Sequence, residues 1–314
     1  MLNYISQVFE RVQHLTGHLH QLLGPPGSSC LTCGTRAVLS SRYPGICPRC
    51  VKQIPWIGVI RCQRCGRGVG CPDCVRPHMQ HRSFICNRSA VQYNDLMKEW
   101  ISMYKFRGHE RYAPLLTALL IQSFQAMSEE LTRLYEKETR KPPWRPDAVT
   151  YIPVSGERLA ERGFNQAEQL AAGLAAAARL PVVDLLQRQI NTAKQSFKSR
   201  AERFETMKHA FSIKLGGIRR IEELWNNQGR QNTHTQKHLN EQENNLKFLA
   251  KNGRVPDLDS SNHPINRSKP VQLLLIDDIY TTGSTLDACG HVILQAAGCA
   301  GIPVEIYTLT LARS

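Results

Sequence analysis

The stretch VQLLLIDDIYTTGST, residues 271–285, joins an apolar run to two acids, a loop rich in hydroxyl side chains and the start of a helix. The aliphatic residues 273–276 have no polar residue among them, which predicts a strand buried on both faces of a parallel sheet. Ligands of open α/β sheets bind beyond the carboxyl ends of the strands, and that is where Asp277 and Asp278 stand. The stretch therefore predicts an α/β fold with a binding site at this end of the sheet.

The loop after the acids has the composition of a phosphate-binding site. Its backbone amides and hydroxyls stand at the start of a helix, where they can cradle an anion, and its residues are Thr281, Thr282, Gly283, Ser284 and Thr285. Carboxylates repel phosphate, so we expect Asp277 and Asp278 to accept hydrogen bonds from ribose hydroxyls or to face a metal. An ordinary βα turn with a helix cap would explain one hydroxyl residue but not the whole run. A ribose 5-phosphate site is predicted.

Other nucleotide-binding motifs are not found in the sequence. No GxxxxGK[ST] is present, which argues against a P-loop nucleotidase, and no GxGxxG follows a predicted strand, which argues against a dinucleotide fold.

Strands and helices are expected to alternate from residue 87 to residue 314. Short apolar runs predict strands at 89–93, 149–154, 271–276 and 304–311, and longer periodic runs predict helices through 105 and at 111–139, 163–180 and 286–297. This alternation favours a parallel sheet with helices on both faces.

A polar insertion, residues 213–270, interrupts the alternation. It is rich in Asn, Gln and Lys and has too few apolar residues to bury a core. We therefore expect it to be mostly disordered or loosely helical. A long linker with a function of its own is the alternative.

Eight of the 11 cysteines form four Cys-x-x-Cys pairs, which are Cys30/Cys33, Cys47/Cys50, Cys62/Cys65 and Cys71/Cys74. A two-residue gap lets both thiolates of a pair bind one ion, and two pairs complete the tetrahedral four-thiolate site that Zn²⁺ prefers. Pairing along the chain gives two successive zinc ribbons, although the spacing alone also allows an interleaved pairing. Residues 30–86 are therefore expected to be a small double zinc ribbon with two structural, closed sites.

Redox chemistry of the thioredoxin type is the alternative use of such pairs, but it requires one pair beside a βαβ unit rather than four in a loop-rich segment. The remaining Cys86, Cys289 and Cys299 are expected to be buried as small apolar residues.

The chain is basic, with 40 Lys+Arg against 26 Asp+Glu and a formal net charge of +14. Its 41% hydrophobic content excludes wholesale disorder. Each Zn²⁺ with four thiolates carries −2, so two sites would lower the net charge to about +10. Arginines of the ribbon segment would bind phosphate backbones or form a solvated face, and Tyr43, Trp56 and Phe84 would stack on bases or pack the ribbons.

Residues 1–29 are expected to form an amphipathic helix and a linker, since apolar residues recur at helical spacing up to Leu22. The helix would dock on its own protein, on a membrane surface or on a partner. No run of 18 apolar residues and no secretory signal are seen, so we expect a cytoplasmic protein, with peripheral binding at the inner face of the cell membrane as an alternative.

The stretch from Leu273 to Thr285 resembles the 5-phosphoribosyl-1-pyrophosphate (PRPP) motif of type I phosphoribosyltransferases. In that family the acid pair contacts the ribose hydroxyls, the loop binds the 5′-phosphate, and Mg²⁺ bridges the ribose hydroxyls and the pyrophosphate. In a second segment, YIPVSGERLAERGFNQA at 151–167, a predicted strand ends at Val154, and a basic loop that starts at Ser155 leads into a helix. There Arg158, Arg162 and the loop amides would neutralise a pyrophosphate.

These two segments, the four Cys-x-x-Cys pairs and the sequence YKFRG at 104–108 together resemble the ComF family of competence proteins. The resemblance covers about 30–212 and 270–314 and implies a type I phosphoribosyltransferase-like domain, residues 87–314, after the zinc ribbons. It also implies a loop over the site, in which Lys194 and Lys198 would contact pyrophosphate or be solvated surface lysines. Lys105 and Arg107 would likewise contact pyrophosphate or be solvated surface residues.

Three functions are compatible with the resemblance. The first is a Mg²⁺- and PRPP-binding protein of DNA uptake in natural transformation, which handles single-stranded DNA beside a helicase-like competence protein at the membrane. The second is a nucleobase-salvage phosphoribosyltransferase whose zinc ribbons are purely structural. In the third, PRPP or a nucleotide is a regulatory ligand. No part of the sequence indicates an acceptor site.

Overall fold

The computed structural model describes residues 28–75, 82–105, 111–136, 143–189, 210–228 and 269–314. The predicted N-terminal helix, Arg107, Lys194 and Lys198 lie outside these ranges. The strands are β1 (Ser28–Ser29), β2 (Arg36–Ala37), β3 (Asn87–Gln92), β4 (Ala148–Tyr151), β5 (Leu186–Arg188), β6 (Phe211–Ile213), β7 (Val271–Tyr280) and β8 (Val304–Arg313). The helices are α1 (Pro48–Val51), α2 (Asp95–Tyr104), α3 (Tyr112–Glu136), α4 (Gly156–Arg162), α5 (Gln166–Ala178), α6 (217–228) and α7 (Ser284–Cys299).

Four parallel strands form the central sheet in the order β3-β8-β7-β4. The aliphatic run of β7 lies in its interior, where Ile276 pairs with Tyr151 on one side and with Leu309 on the other. Residues 271–276 are all buried, as expected of a strand covered on both faces. The predicted type I phosphoribosyltransferase-like sheet is confirmed.

Helices cover the sheet on both faces. The crossover from β3 to β4 runs across the sheet in the opposite direction to the crossover from β7 to β8. Since parallel crossovers are right-handed, α3 and α7 lie on opposite faces. Helix α5 packs on α3 and on β4 and β7, and α7 packs on β8 and β6.

Helix starts and ends follow local sequence signals. Asn94 caps α2 by accepting a hydrogen bond from Met97 N, and Asn165 caps α5 by accepting one from Ala167 N. Gly163 ends α4 in the left-handed conformation. The short helix α4 was not predicted, because its residues GERLAER alternate charge without an apolar stripe.

The cysteine-rich segment continues the central sheet at its β3 edge. Trp56 forms an antiparallel bridge with Val91, Ile57 N donates to Ala90 O, and Gln92 N donates to Pro55 O. Module and sheet therefore share backbone hydrogen bonds across the boundary predicted at residues 86/87.

The first part of the segment 213–270, which was expected to be mostly disordered or loosely helical, contains the last residue of a strand and a helix. Ile213 pairs with Leu186 in the β5–β6 hairpin, and α6 follows with Ile221 buried. The polar composition of the whole segment concealed the helical spacing of Ile218, Ile221 and Leu224. Residues 229–268 lie outside the described ranges. None of the described helices is long and apolar enough to span a membrane.

Candidate functional site

The acid pair lies at the carboxyl end of β7, between its buried run and the loop. Asp278 N donates to Asp277 Oδ1 over 2.9 Å. Lys105, the residue after α2, places Nζ 2.6 Å from Asp278 Oδ2. The preceding Tyr104 is fully buried and donates from its hydroxyl to Gln166 O at the start of α5. Packing of Tyr104 thus fixes the end of α2 and brings Lys105 to the acids.

The two acids differ in pKa. Burial, and then the charge of Asp278, raises the pKa of Asp277 to about 8. Burial also disfavours the charged form of Asp278, but the positive charges of Lys105 and Arg162 outweigh the effect of burial and lower the pKa of Asp278. At neutral pH the pair therefore holds a proton on Asp277 and a negative charge on Asp278. Such a pair offers a ligand one hydrogen-bond donor and several acceptors.

The loop after the acids is held by two arginines through its carbonyl groups. Arg313 Nη1 donates to Thr281 O over 2.7 Å, and Arg82 Nη2 donates to Thr282 O over 2.8 Å. In a trans peptide the next N–H points away from the carbonyl. The N–H groups of Thr282 and Gly283 therefore point away from the arginines, as phosphate binding requires.

Gly283 allows the sharp turn into α7. It has φ +78°, and a Cβ there would overlap the Tyr280 ring beneath it. Thr282 Oγ1 and Ser284 Oγ lie 2.8 Å apart in a hydrogen bond. Thr281 is exposed, Thr282 and Thr285 are half-buried, and Ser284 is buried. Turn and hydroxyls thus lie together at the start of the helix, next to the acids.

The two arginines predicted for the pyrophosphate lie on α4. Ser155 caps this helix by accepting from Arg158 N, and Val154 precedes it after β4. Arg162 Nη1 donates to Gln166 Oε1 over 2.8 Å. Burial and the charge of Arg158 lower the pKa of Arg162, against the opposing effect of Asp278. Both guanidinium groups thus contribute positive charge at the same end of the sheet as the acids.

The eight paired cysteines form two groups of four along the chain. Cys30, Cys33, Cys47 and Cys50 make the first group, and Cys62, Cys65, Cys71 and Cys74 make the second, with the sulfur atoms of each within 4.8 Å of one another. The sequential pairing is therefore the one the fold adopts, and the interleaved one is excluded.

The sulfur geometry fits zinc. Cys30 Sγ and Cys50 Sγ are 3.7 Å apart, and Cys33 Sγ and Cys47 Sγ are 3.8 Å apart. A tetrahedron with Zn–S bonds of about 2.3 Å has edges of about 3.8 Å. Each group can therefore hold a zinc ion.

Two curated relatives match almost the whole chain. Competence protein ComFC of Bacillus subtilis (strain 168) is 27% identical over 306 residues, which is 96% of this chain and 91% of the relative. Competence protein ComFC of Streptococcus pneumoniae is 27% identical over 295 residues, covering 93% and 98%. The chain is therefore similar to ComF-family competence proteins over nearly its whole length. No family model matches it.

One arginine near the acid pair was not predicted from the sequence. Arg188 ends β5, and its guanidinium lies over the Phe211 ring. Burial and the charge of Arg158 lower its pKa, while Asp277 opposes the shift. Arg188 therefore belongs to the electrostatic surroundings of the acid pair. No local pattern marks it, because its place depends on the β5–β6 hairpin.

Several side chains of the cysteine-rich module pack instead of facing solvent. Tyr43 and Phe84 are buried and Trp56 is half-buried, so the first two are not available to stack on bases.

The three cysteines outside the two groups differ in exposure. Cys86 and Cys289 are buried as expected, whereas Cys299 is exposed at the end of α7. The prediction for Cys299 was wrong, because its position in the last turn of the helix faces solvent.

Proposed function

We propose that the chain binds PRPP with Mg²⁺ at the carboxyl end of the sheet and takes part in DNA uptake. Two observations support this. The relatives over nearly the full length are named as competence proteins, and the acid pair is followed by a turn whose amides point away from Arg82 and Arg313. The second observation carries the ligand assignment, since amides and acids side by side suit a phosphate next to ribose hydroxyls.

Each group of the site has a role in the proposed complex. The N–H groups of Thr282 and Gly283, with the neighbouring hydroxyls, bind the 5′-phosphate. Asp277 and Asp278 bind the ribose hydroxyls, and Arg158 and Arg162 bind the pyrophosphate. Lys194 is a further proposed pyrophosphate contact, although it lies outside the described residues.

The acid pair fits a Mg²⁺ ion that arrives with the ligand. Within the described ranges, only the two cysteine groups bring three or more metal-ligating side chains together, so the two acids do not form a complete metal site by themselves. One of the two carboxylates, that of Asp278, already pairs with Lys105. Oxygen atoms of PRPP would therefore complete the coordination. When bound, the ion would neutralise charge on the pyrophosphate.

If pyrophosphate departs, the chain supplies positioning and electrostatics. Positive charge develops on the ribose as the bond to pyrophosphate lengthens. The negatively charged carboxylate of Asp278, which would accept hydrogen bonds from the ribose hydroxyls, would lie close to that charge. Arg158 and Arg162 stabilise the charge on the leaving group. No covalent intermediate with the protein is required.

The zinc ribbons are proposed to be structural and to handle single-stranded DNA on their basic surface. An open pocket with a volume of about 750 Å³ lies beside the second cysteine group, and Arg61 and Arg64 are among the residues that line it. Arginines bind phosphate backbones through charge and paired hydrogen bonds. We place this activity in the cytoplasm, at the inner face of the cell membrane, with a helicase-like competence protein as partner.

Calorimetric titration of PRPP with Mg²⁺ into the zinc-loaded protein tests the ligand assignment. We expect binding by the wild type, no measurable binding by Asp277→Asn/Asp278→Asn, and unchanged binding by Asp184→Asn, an exposed acid paired with Lys214. Absence of binding by the wild type would refute the proposal.

DNA binding is tested by its salt dependence. The affinity for single strands should fall steeply as salt rises and should drop about tenfold or more in a variant with Arg61, Arg64 and Arg67 changed to Glu. A matched variant with Arg36, Arg42 and Arg49 changed to Glu alters the same charge at the first cysteine group. Equal losses in both variants would show non-specific attraction instead of a binding surface.

A nucleobase-salvage phosphoribosyltransferase with purely structural ribbons is the second candidate. Burial of Tyr43 and Phe84 favours it, because it removes two stacking platforms from the ribbon surface. Base-dependent release of pyrophosphate from PRPP, without DNA affinity, would establish this function in place of the first.

A further inference from the structure

The guanidinium of Arg313 lies between the second cysteine group and the turn after the acid pair. Its Nη2 is 3.5 Å from Cys65 Sγ, and its Nη1 donates to Thr281 O over 2.7 Å and to Tyr280 O over 3.3 Å. The same guanidinium stacks 4.2 Å from the centroid of the Tyr280 ring. One buried side chain therefore contacts a predicted zinc ligand and the backbone that shapes the turn.

Arg313 is held tightly enough to transmit a displacement. It is 6% exposed and lies at the end of β8, which pairs with β7 as far as Tyr280. Gly283 leaves no room between the turn and the Tyr280 ring. A shift of the guanidinium would therefore move the Thr281 carbonyl, the Tyr280 ring or both, and the N–H groups of the turn would follow.

Zinc fixes the sulfur atom that Arg313 contacts. A Zn²⁺ ion holds its four sulfur ligands at the corners of a tetrahedron, and one of them, Cys65 Sγ, lies 3.5 Å from Arg313 Nη2. When the group is empty, no metal ties Cys65 Sγ to the other three sulfur atoms. Metal occupancy thus favours the position in which Arg313 also holds the two carbonyls.

We propose that Arg313 is a positioning residue that couples metal occupancy of the second cysteine group to the conformation of the turn at 281–283. The proposal rests on the proposed PRPP site and adds a regulatory property to it. Loss of zinc from the second group loosens the turn and weakens binding of the 5′-phosphate. Coupling between two sites is reciprocal, so PRPP must also strengthen retention of zinc at that group.

Site-resolved cysteine labelling tests this reciprocity in the wild-type, zinc-loaded chain. The protein is incubated with a chelator and an alkylating reagent, and labelling of each cysteine peptide is followed by mass spectrometry. With PRPP and Mg²⁺ we expect labelling of Cys62, Cys65, Cys71 and Cys74 to slow about fivefold or more. Labelling of the first group should not change, so it serves as the internal control.

Calorimetry on the same preparation separates the two ways of failing. If PRPP binds but protects neither group, or both equally, the coupling through Arg313 is wrong and the PRPP site stands. If PRPP does not bind at all, the proposed site and the coupling are both wrong.

Arg313→Lys tests the residue itself. Lysine keeps the charge but not the paired contacts, so we expect about tenfold weaker PRPP binding and loss of the PRPP-dependent protection, with two zinc ions retained per chain. Arg49→Lys, a change beside the first cysteine group, should leave both the affinity for PRPP and the PRPP-dependent protection unchanged. Protection that persists in a folded Arg313→Lys protein would overturn the assignment, and if this variant does not fold, the wild-type labelling still decides.

Discussion

The ammonium group of Lys105 lies 2.6 Å from Asp278 Oδ2, so the acid pair has a cation of the protein beside it before any ligand arrives. The ion pair keeps the half-buried Asp278 charged, and it leaves Asp277 as the protonated partner. The lysine therefore determines how the two acids share their charge.

Lys105→Met should weaken binding of PRPP with Mg²⁺ about tenfold or more. Without the ammonium group the two carboxyls compete for one proton, and a positive charge beside the pyrophosphate is lost. Titration calorimetry at pH 7.5 measures the change. Lys98→Met, in the same helix, is the control, and unchanged affinity in Lys105→Met would show that the ion pair has no part in binding.

Asp277→Asn should stabilise the ligand-free protein while removing its affinity for PRPP. The unfolded chain releases this proton near the ordinary value of 3.8, and the folded chain holds it to about pH 8. The fold therefore loses stability as pH rises through this window. We expect the variant to gain about 1–2 kcal/mol in the free energy of unfolding at pH 8.

Denaturant unfolding at pH 6, 7 and 8 with zinc present checks this sign. The difference between variant and wild type should increase with pH, and contributions of the zinc sites cancel in that difference. A variant that is less stable at pH 8 than the wild type would contradict the raised pKa of Asp277.

Gly283→Ala should abolish phosphate binding and cost about 1–3 kcal/mol of stability. The residue has φ +78°, and an added Cβ overlaps the Tyr280 ring. Gly298→Ala, in the helix that Gly283 precedes, is the control, because no atom lies within 4 Å of its added Cβ, and it should be neutral or slightly stabilising. Thermal melts and PRPP titration of both variants measure the contrast, and equal behaviour would show that the turn is not constrained.

Glu130→Gln should destabilise the protein by about 2–4 kcal/mol. Glu130 accepts two hydrogen bonds of 2.7 Å from Arg88, whose buried guanidinium also donates to Gln63 O in the cysteine-rich module. The substitution leaves that guanidinium without its carboxylate. Denaturant unfolding measures the loss, and the exposed neighbour in Glu129→Gln should change stability by less than about 0.5 kcal/mol. Similar values for the two variants would show that the ion pair contributes nothing.

The sequence allowed the sheet and the positions of the acids to be predicted, because both depend on short-range patterns. The aliphatic run at 273–276 fixed β7, and two-residue gaps marked the cysteine groups. The contacts of Arg82 with the turn and of Arg313 with Cys65 could not be foreseen, because the partners are 200 and 248 positions apart. The fold of 217–228 was missed because composition was averaged over a long polar segment.

The antiparallel bridge between Trp56 and Val91 covers the outer edge of β3 with the segment that the cysteines organise. An uncovered edge strand offers free N–H and C=O groups to the same strand of another molecule. If loss of zinc frees this edge, the β3 edges of two molecules would be open to each other. The cysteine groups would then guard the sheet against pairing with a second copy of the chain.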